Sequence, residues 1–392
     1  MHSLYIHIPF CRHRCGYCDF NTYSGLDQLI PSYVEALERE IREVGEQGGR
    51  PTAHTVFFGG GTPSILEADQ LRGLLAAIRD SFLVEIGAEI TLEANPGGLD
   101  RADLAEIVAA GFNRLSLGVQ SIHPAELAVL EREHGLEQVI SSVAAARAAG
   151  FANVNLDLIF GVPGQSLDSW DKTLAQVLDL GPEHLSLYAL TLEHGTPLRR
   201  AVRAGRVKMP EDDLAAEMYE AASLRLARAN YLQYEISNWA RCGDEPDAYR
   251  FACRHNLRYW RNLSYFGWGA GAHGYVRGRR YSNVLAPATY IRRMQSGARG
   301  AFPLSRAAAR SEVISVEEEM RQTMWLGLRL TEEGVDEEGF RARFGTAMDA
   351  VFGREIEDLV RLDLLERVAN RPRLRLTPRG RLLANQVFVR FV

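Results

Sequence analysis

The chain has 392 residues, 46% of them hydrophobic and 24% charged, with a formal net charge of -5 at pH 7. That length exceeds what one hydrophobic core usually supports, so a large domain plus a smaller one is expected. The composition excludes a disordered or collagen-like chain, the lack of an 18-residue apolar run excludes a membrane span, and the charge argues against a general nucleic-acid binder. The start, Met1-His2-Ser3-Leu4-Tyr5, lacks the basic and long apolar stretches of a signal peptide. A cytoplasmic location is the expectation, with peripheral membrane contact left open.

Up to about residue 190, short β-branched apolar runs alternate with longer helical patterns, which is the signature of βα units on a parallel sheet. Strands are predicted at 4–8, 55–58, 89–93, 114–117, 154–159 and 184–189, and helices at 32–46, 67–82, 102–110, 137–149 and 167–180. Gly111 and Gly150 read as helix stops. The passages Ala109-Ala110-Gly111-Phe112-Asn113 and Ala148-Ala149-Gly150-Phe151-Ala152-Asn153 repeat one helix end feeding a strand. Such repetition favours a full or partial barrel.

Past Glu193 the period weakens, with one clear helix at 211–229 and then a loop-rich, aromatic tract to about residue 284. From about 311 three amphipathic helices precede short strands at 364–368 and 374–376, a turn between them, and a last helix from Pro378, an order that suggests a winged-helix-like domain. The expected division is 1–230 barrel, 231–300 aromatic loop-rich segment and 301–392 winged-helix-like domain. Residues 301–392 hold 15 arginines, no lysine and 15 acidic residues. This balance lacks a DNA-binding footprint, so the tail is expected to cover the barrel.

Three of the five cysteines, Cys11, Cys15 and Cys18, fall in one short loop after the first strand, spaced C-x-x-x-C-x-x-C. Disulfides are disfavoured by the odd count and by the small loops they would close. Three thiolates can ligate three irons of a cubane cluster and leave the fourth open. The alternative is zinc with His7 or His13 as a further ligand, although no second cysteine hook follows.

Cys18-Asp19-Phe20, Phe58-Gly59-Gly60-Gly61-Thr62-Pro63-Ser64, Glu93-Ala94-Asn95-Pro96, Gly118-Val119-Gln120-Ser121 and Asp157-Leu158-Ile159-Phe160-Gly161-Val162-Pro163-Gly164-Gln165 recur in that order. With the cysteine spacing they resemble the radical S-adenosylmethionine (SAM) superfamily, in the branch of oxygen-independent coproporphyrinogen III oxidases and haem chaperones. The resemblance implies an α/β fold, a partial (βα)6 TIM-like radical SAM barrel with a C-terminal winged-helix-like α+β domain. It implies a 4Fe-4S cluster on Cys11, Cys15 and Cys18 and SAM at the open iron, cleaved after one-electron transfer to methionine and a 5'-deoxyadenosyl radical. For SAM it implies Gly60, Gly61 and Thr62 at the amino end, Glu93 and Asp157 as acceptors for amine or ribose hydroxyls, Gln120 as a positioning group and Arg132 at the carboxylate. Tyr5 and Tyr17 match positions beside the cofactor.

Within the branch, the oxidases carry a further cysteine two residues after the third, where this chain has Phe20, which argues against coproporphyrinogen decarboxylation. His255-Asn256-Leu257-Arg258-Tyr259-Trp260 matches the H-N-x-x-Y-W signature of the chaperones. Imidazole is a usual axial ligand of haem iron, and aromatic surface suits a flat macrocycle. His255, Tyr259 and Trp260 are thus the haem candidates, with haem as cargo for acceptor haemoproteins, possible respiratory ones included. Oxidase activity is the runner-up, and a zinc-stabilised binding protein a distant third.

Overall fold

The computed structural model describes residues 1–242, 249–296, 299–368 and 372–392. Six parallel strands form its centre: β1 (His2–Ile8), β2 (Thr52–Gly60), β3 (Leu83–Ala94), β4 (Arg114–Gln120), β5 (Asn153–Phe160) and β6 (His184–Ala189). They pair in chain order, each parallel to the next. The principal crossover helices are α1 (Ile30–Gln47), α2 (Ala68–Ser81), α3 (Arg101–Ala110), α4 (Leu136–Ala149) and α5 (Leu167–Asp179). All six expected strands and five expected helices are present, within a few residues at most ends. α3 and α4 stop at Gly111 and Gly150, whose φ of 112° and 108° few other residues adopt.

The strand register explains how the sequence makes a barrel. One face of the sheet is apolar: Leu4, Ile6, Val56, Phe58, Ile90, Leu92, Leu115, Leu117, Leu156 and Leu185 are all buried and pack with the helices. The other face is polar, because Ser3 pairs with Thr55, Thr55 with Glu89, Glu93 with Ser116, Ser116 with Asn155 and Asn155 with His184. Alternation at period two places every one of these side chains in the interior.

The tract expected to be loop-rich instead carries five short strands and a helix. Helix α6 (Asp212–Arg228) leads to β7 (Tyr231–Glu235) and β8 (Asn238–Arg241), and the short helix α7 (Arg254–Trp260) leads to β9 (Tyr265–Trp268), β10 (His273–Val276) and β11 (Arg279–Asn283). With β12 (Ala308–Val313) they extend the sheet at both edges, in the order β12-β11-β10-β9-β1-β2-β3-β4-β5-β6-β8-β7. β1 and β6 do not pair, so the barrel is partial. These edge strands lack the apolar β-branched runs that mark β1 to β6, Arg279–Asn283 and Ala308–Val313 being mostly polar or charged. Residues 243–248 of this tract lie outside the described residues.

One core runs from Leu4 to Ala307 and a second from Met320 to Phe391. The second packs helices Val316–Gly327, Glu337–Phe344 and Met348–Arg361 against a three-stranded sheet in which Arg373–Leu376 lies between Val335–Asp336 and Leu365–Arg367. This is winged-helix-like topology; the turn expected between its last two strands includes 369–371, outside the described residues. Among the described residues no helix is long and apolar enough to cross a membrane.

Candidate functional site

Ligand sites of parallel barrels lie at the carboxyl ends of the strands, where the connecting loops converge. Here the loop after β1 carries Cys11, Cys15 and Cys18, each partly buried. It is pinned to the neighbouring turn by Gly61 N–H to Ile8 O at 2.8 Å and Thr62 N–H to Phe10 O at 2.9 Å. A Cβ on Gly61 would sit 2.9 Å from Cys11 Sγ, so only glycine lets this backbone approach the thiol. Burial pushes the Cys11 and Cys18 thiols above their ordinary pKa, a bias that bound metal reverses.

A cavity of about 430 Å³ opens beside the three thiols and is also lined by Tyr17, Gly60, Gly61, Thr62, Glu93, Gln120, Arg132 and Asp157. The structure thus gathers all but one of the residues expected around SAM. Tyr5 lies one layer deeper, its hydroxyl 3.0 Å from His7 Nδ1. Gln120 ends β4 with φ 64°, a strained value for a residue with a side chain, of the kind that functional sites hold. Arg132 donates to Asn95 Oδ1 at 2.7 Å and Gly118 O at 2.6 Å, its Nη1 lies 3.7 Å from Cys15 Sγ, and its Nε is buried with no partner among the described residues. Asn95 Nδ2 reaches Thr62 Oγ1 at 3.3 Å, and Thr62 Oγ1 approaches Cys11 Sγ at 3.7 Å. Asn95 carries little signal in the sequence because its amide is uncharged, although it stands two residues after Glu93 in the same motif. Phe20 is 65% exposed at the rim.

Glu93 accepts the Gly60 N–H at 3.2 Å, while Asp157 accepts Ser116 Oγ–H and Asn155 Nδ2–H, both at 2.9 Å. Burial, and then the neighbouring Asp157 charge, pushes Glu93 up to about 8. Between its ordinary value of 4.5 and about 8 the folded chain therefore keeps a proton that the unfolded chain has lost. This residue's contribution to stability falls as pH rises through that window. Glu93→Gln is expected to remove that part of the pH dependence in urea melts across the window; a slope identical to wild type would show that Glu93 ionises freely.

The haem candidates stand apart from this cavity, near the amino ends of the strands. Helix α7 closes the barrel floor, because Glu89 of β3 accepts the N–H groups of Arg254 and His255 at 3.0 Å each and Cys253 Sγ–H at 3.6 Å. His255 is 1% exposed, and both ring nitrogens are engaged, Nδ1 with Thr55 Oγ1 and Nε2 with Tyr259 Oη, each at 2.9 Å. Burial lowers its pKa to about 3, so the ring is neutral. Tyr259 packs edge-on to His255, and Arg329 of the second core lies 4.3 Å from the Trp260 ring centroid. Arg261 and Glu333 add a bidentate bridge. The second core accordingly sits against the floor and not over the mouth.

Among the described residues no three His, Cys, Asp or Glu side chains converge as a single metal ion needs. A cubane with one open iron asks for three thiolates around a shared space, and the cavity lined by three thiols with its glycine turn fits that demand. The zinc alternative fits less well: His7 Nε2 is 3.0 Å from Asn21 O, and His13 Nε2 is 3.1 Å from Glu131 Oε2.

Comparison with known proteins follows the same lines. The family model of the radical SAM superfamily matches residues 5–177, and that of the HemN C-terminal domain matches 314–383. The chain is 38% identical to the haem chaperone HemW of Bacillus subtilis, covering 100% of this chain and 99% of that protein. It is 41% identical to the HemW of Mycobacterium tuberculosis, covering 98% and 93%. The structure of Escherichia coli coproporphyrinogen III oxidase (HemN) superimposes with a TM-score of 0.81 over 99% of this chain and 89% of that one, at 24% identity, a likeness of fold.

Proposed function

Since this chain belongs to the HemW family of haem chaperones within the radical SAM superfamily, we propose that it binds haem and passes it to acceptor haemoproteins. The observation that carries this reading is the full-length similarity to HemW proteins. The superfamily implies a 4Fe-4S cluster and SAM, and we assign the cluster to Cys11, Cys15 and Cys18. When bound, the reduced cluster supplies SAM with one electron.

The protein's own residues bind and orient. Arg132, with a buried unpartnered Nε beside the thiols, takes the SAM carboxylate. Glu93, protonated before binding, takes the amino group, and the arriving ammonium favours release of its proton. Asp157 takes the ribose hydroxyls, and Gln120, Gly60, Gly61 and Thr62 set the backbone edge, with Tyr17 alongside and Tyr5 beneath. The runner-up, coproporphyrinogen oxidation, would need another group where Phe20 stands; no protoporphyrinogen should form from coproporphyrinogen under anaerobic reducing conditions.

For haem, His255 supplies Nε2 once Tyr259 releases it and α7 leaves the floor. The resting chain is therefore a closed form, and the apparent haem affinity is the intrinsic affinity of the open form scaled down to the fraction that is open. Haem titration of His255→Ala is expected to show about tenfold weaker binding and a displaced Soret band. Unchanged affinity with unchanged spectra removes His255 as a ligand.

A further inference from the structure

The interior of the barrel holds a chain of hydrogen bonds whose direction is fixed at every link. Asn155 spends its two amide protons on Ser116 Oγ at 2.7 Å and Asp157 Oδ1 at 2.9 Å. Its Oδ1 is therefore an acceptor, and it faces His184 Nδ1 at 2.6 Å and Ser186 Oγ at 3.2 Å. Turning the amide over would set its oxygen against the Asp157 carboxylate. His184 must then carry its proton on Nδ1, which leaves Nε2 to accept from Tyr234 Oη–H at 2.9 Å. The Tyr234 oxygen in turn accepts from the N–H of Cys253, the residue that caps the start of α7, at 3.3 Å. Asn155, His184 and Tyr234 are all essentially buried. Burial holds the His184 pKa well below its ordinary value, so the ring stays neutral and keeps one tautomer.

Every donor in this chain points the same way: Cys253 to Tyr234, Tyr234 to His184, His184 to Asn155, Asn155 to Asp157. Bonds aligned in series polarise one another, and this series ends on a carboxylate, where a charge-assisted bond gains most. The structural alternative is that these groups only satisfy one another in a polar interior. It leaves unexplained why the run is unidirectional and joins the floor helix to a residue lining the cavity at the mouth.

We propose that His184 is a positioning residue for the SAM pocket, holding Asp157 through Asn155, and that the seating of α7 reaches this pocket through Tyr234. The proposal rests on the reading of Asp157 as a SAM contact given above. Its consequence is linkage: whatever lifts α7 weakens SAM binding, and SAM in place favours the closed floor, by the same factor in both directions.

The test measures SAM dissociation constants by equilibrium dialysis on the reconstituted protein, for Asp157→Asn, His184→Phe, Tyr234→Phe and the Asp157→Asn/His184→Phe double variant. Each of the first two is expected to weaken SAM by about tenfold and Tyr234→Phe by about threefold. The double variant should be no weaker than Asp157→Asn alone, because His184 acts only through Asp157. A merely structural histidine would give losses that multiply, and that result overturns the proposal. So does wild-type affinity in Tyr234→Phe, which keeps its ring and serves if His184→Phe does not fold. Wild-type affinity in Asp157→Asn instead overturns the reading of the pocket, and the relay with it.

Discussion

A Cys15→Ala variant is expected to retain, after anaerobic reconstitution with iron and sulfide, on the order of a tenth of the wild-type cluster iron. Three thiols are the minimum that holds a cubane in this loop, and Arg132 Nη1 at 3.7 Å from Cys15 Sγ cannot replace a ligand. Cys242, on the short run after β8, and Cys253, buried on the floor beside Glu89, lie outside this loop. Cys242→Ala should therefore keep full iron. Iron analysis and the visible charge-transfer absorption measure both variants. Equal iron in Cys15→Ala and wild type would contradict the assignment of the loop.

The largest effect on stability is expected at Glu40 of α1. It is 0% exposed, and its two oxygens accept four donors: Ser305 Oγ at 2.5 Å, Tyr290 Oη at 2.6 Å, Asn283 Nδ2 at 2.8 Å and Gly269 N–H at 2.9 Å. Burial raises its pKa and the four donors oppose that rise. This carboxylate ties α1 to the segment after β9, to β11 and to the α8 helix (Pro287–Gln295). The same segment supports the cysteine loop, because Asn21 Nδ2 donates to Ala270 O at 3.0 Å. Glu40→Ala leaves four buried donors unpaired and should cost more than about 4 kcal/mol. Glu40→Gln sets an amide N–H against two existing donors and should fall between. Urea midpoints provide the measurement; a loss below about 1 kcal/mol in Glu40→Ala would show that water replaces the carboxylate.

The barrel was legible because short apolar runs alternating with helical patterns are local signals, reinforced by the glycine stops of α3 and α4 ahead of β4 and β5. The edge strands were not, since their pairing is decided by the sheet they join and four residues such as Tyr265–Trp268 carry no period of their own. At the mouth, motif order led to Glu93, Gln120 and Asp157 and the family resemblance to Arg132; Asn95 stood within the same motif as Glu93, whereas Ser116 emerges only when strands far apart in sequence meet. The floor was legible only as a motif. His255 and Tyr259 share a face because they lie four apart on α7, a helix within a tract that reads as loop-rich. Nothing local reveals that this face is turned into a barrel. His184 and Ser186 alternate on β6 and point inward by the same rule as Asp157 on β5, but neither stands in any of the motifs that mark the mouth.

One measurement bears most directly on the whole account: electron paramagnetic resonance of the anaerobically reconstituted, dithionite-reduced protein, with SAM and haem added separately. The account predicts a reduced 4Fe-4S signal that SAM alters and that Arg132→Ala leaves unaltered by SAM, together with haem retained by the same chain. Zinc in place of iron, or a cluster signal indifferent to SAM in the wild type, would contradict it.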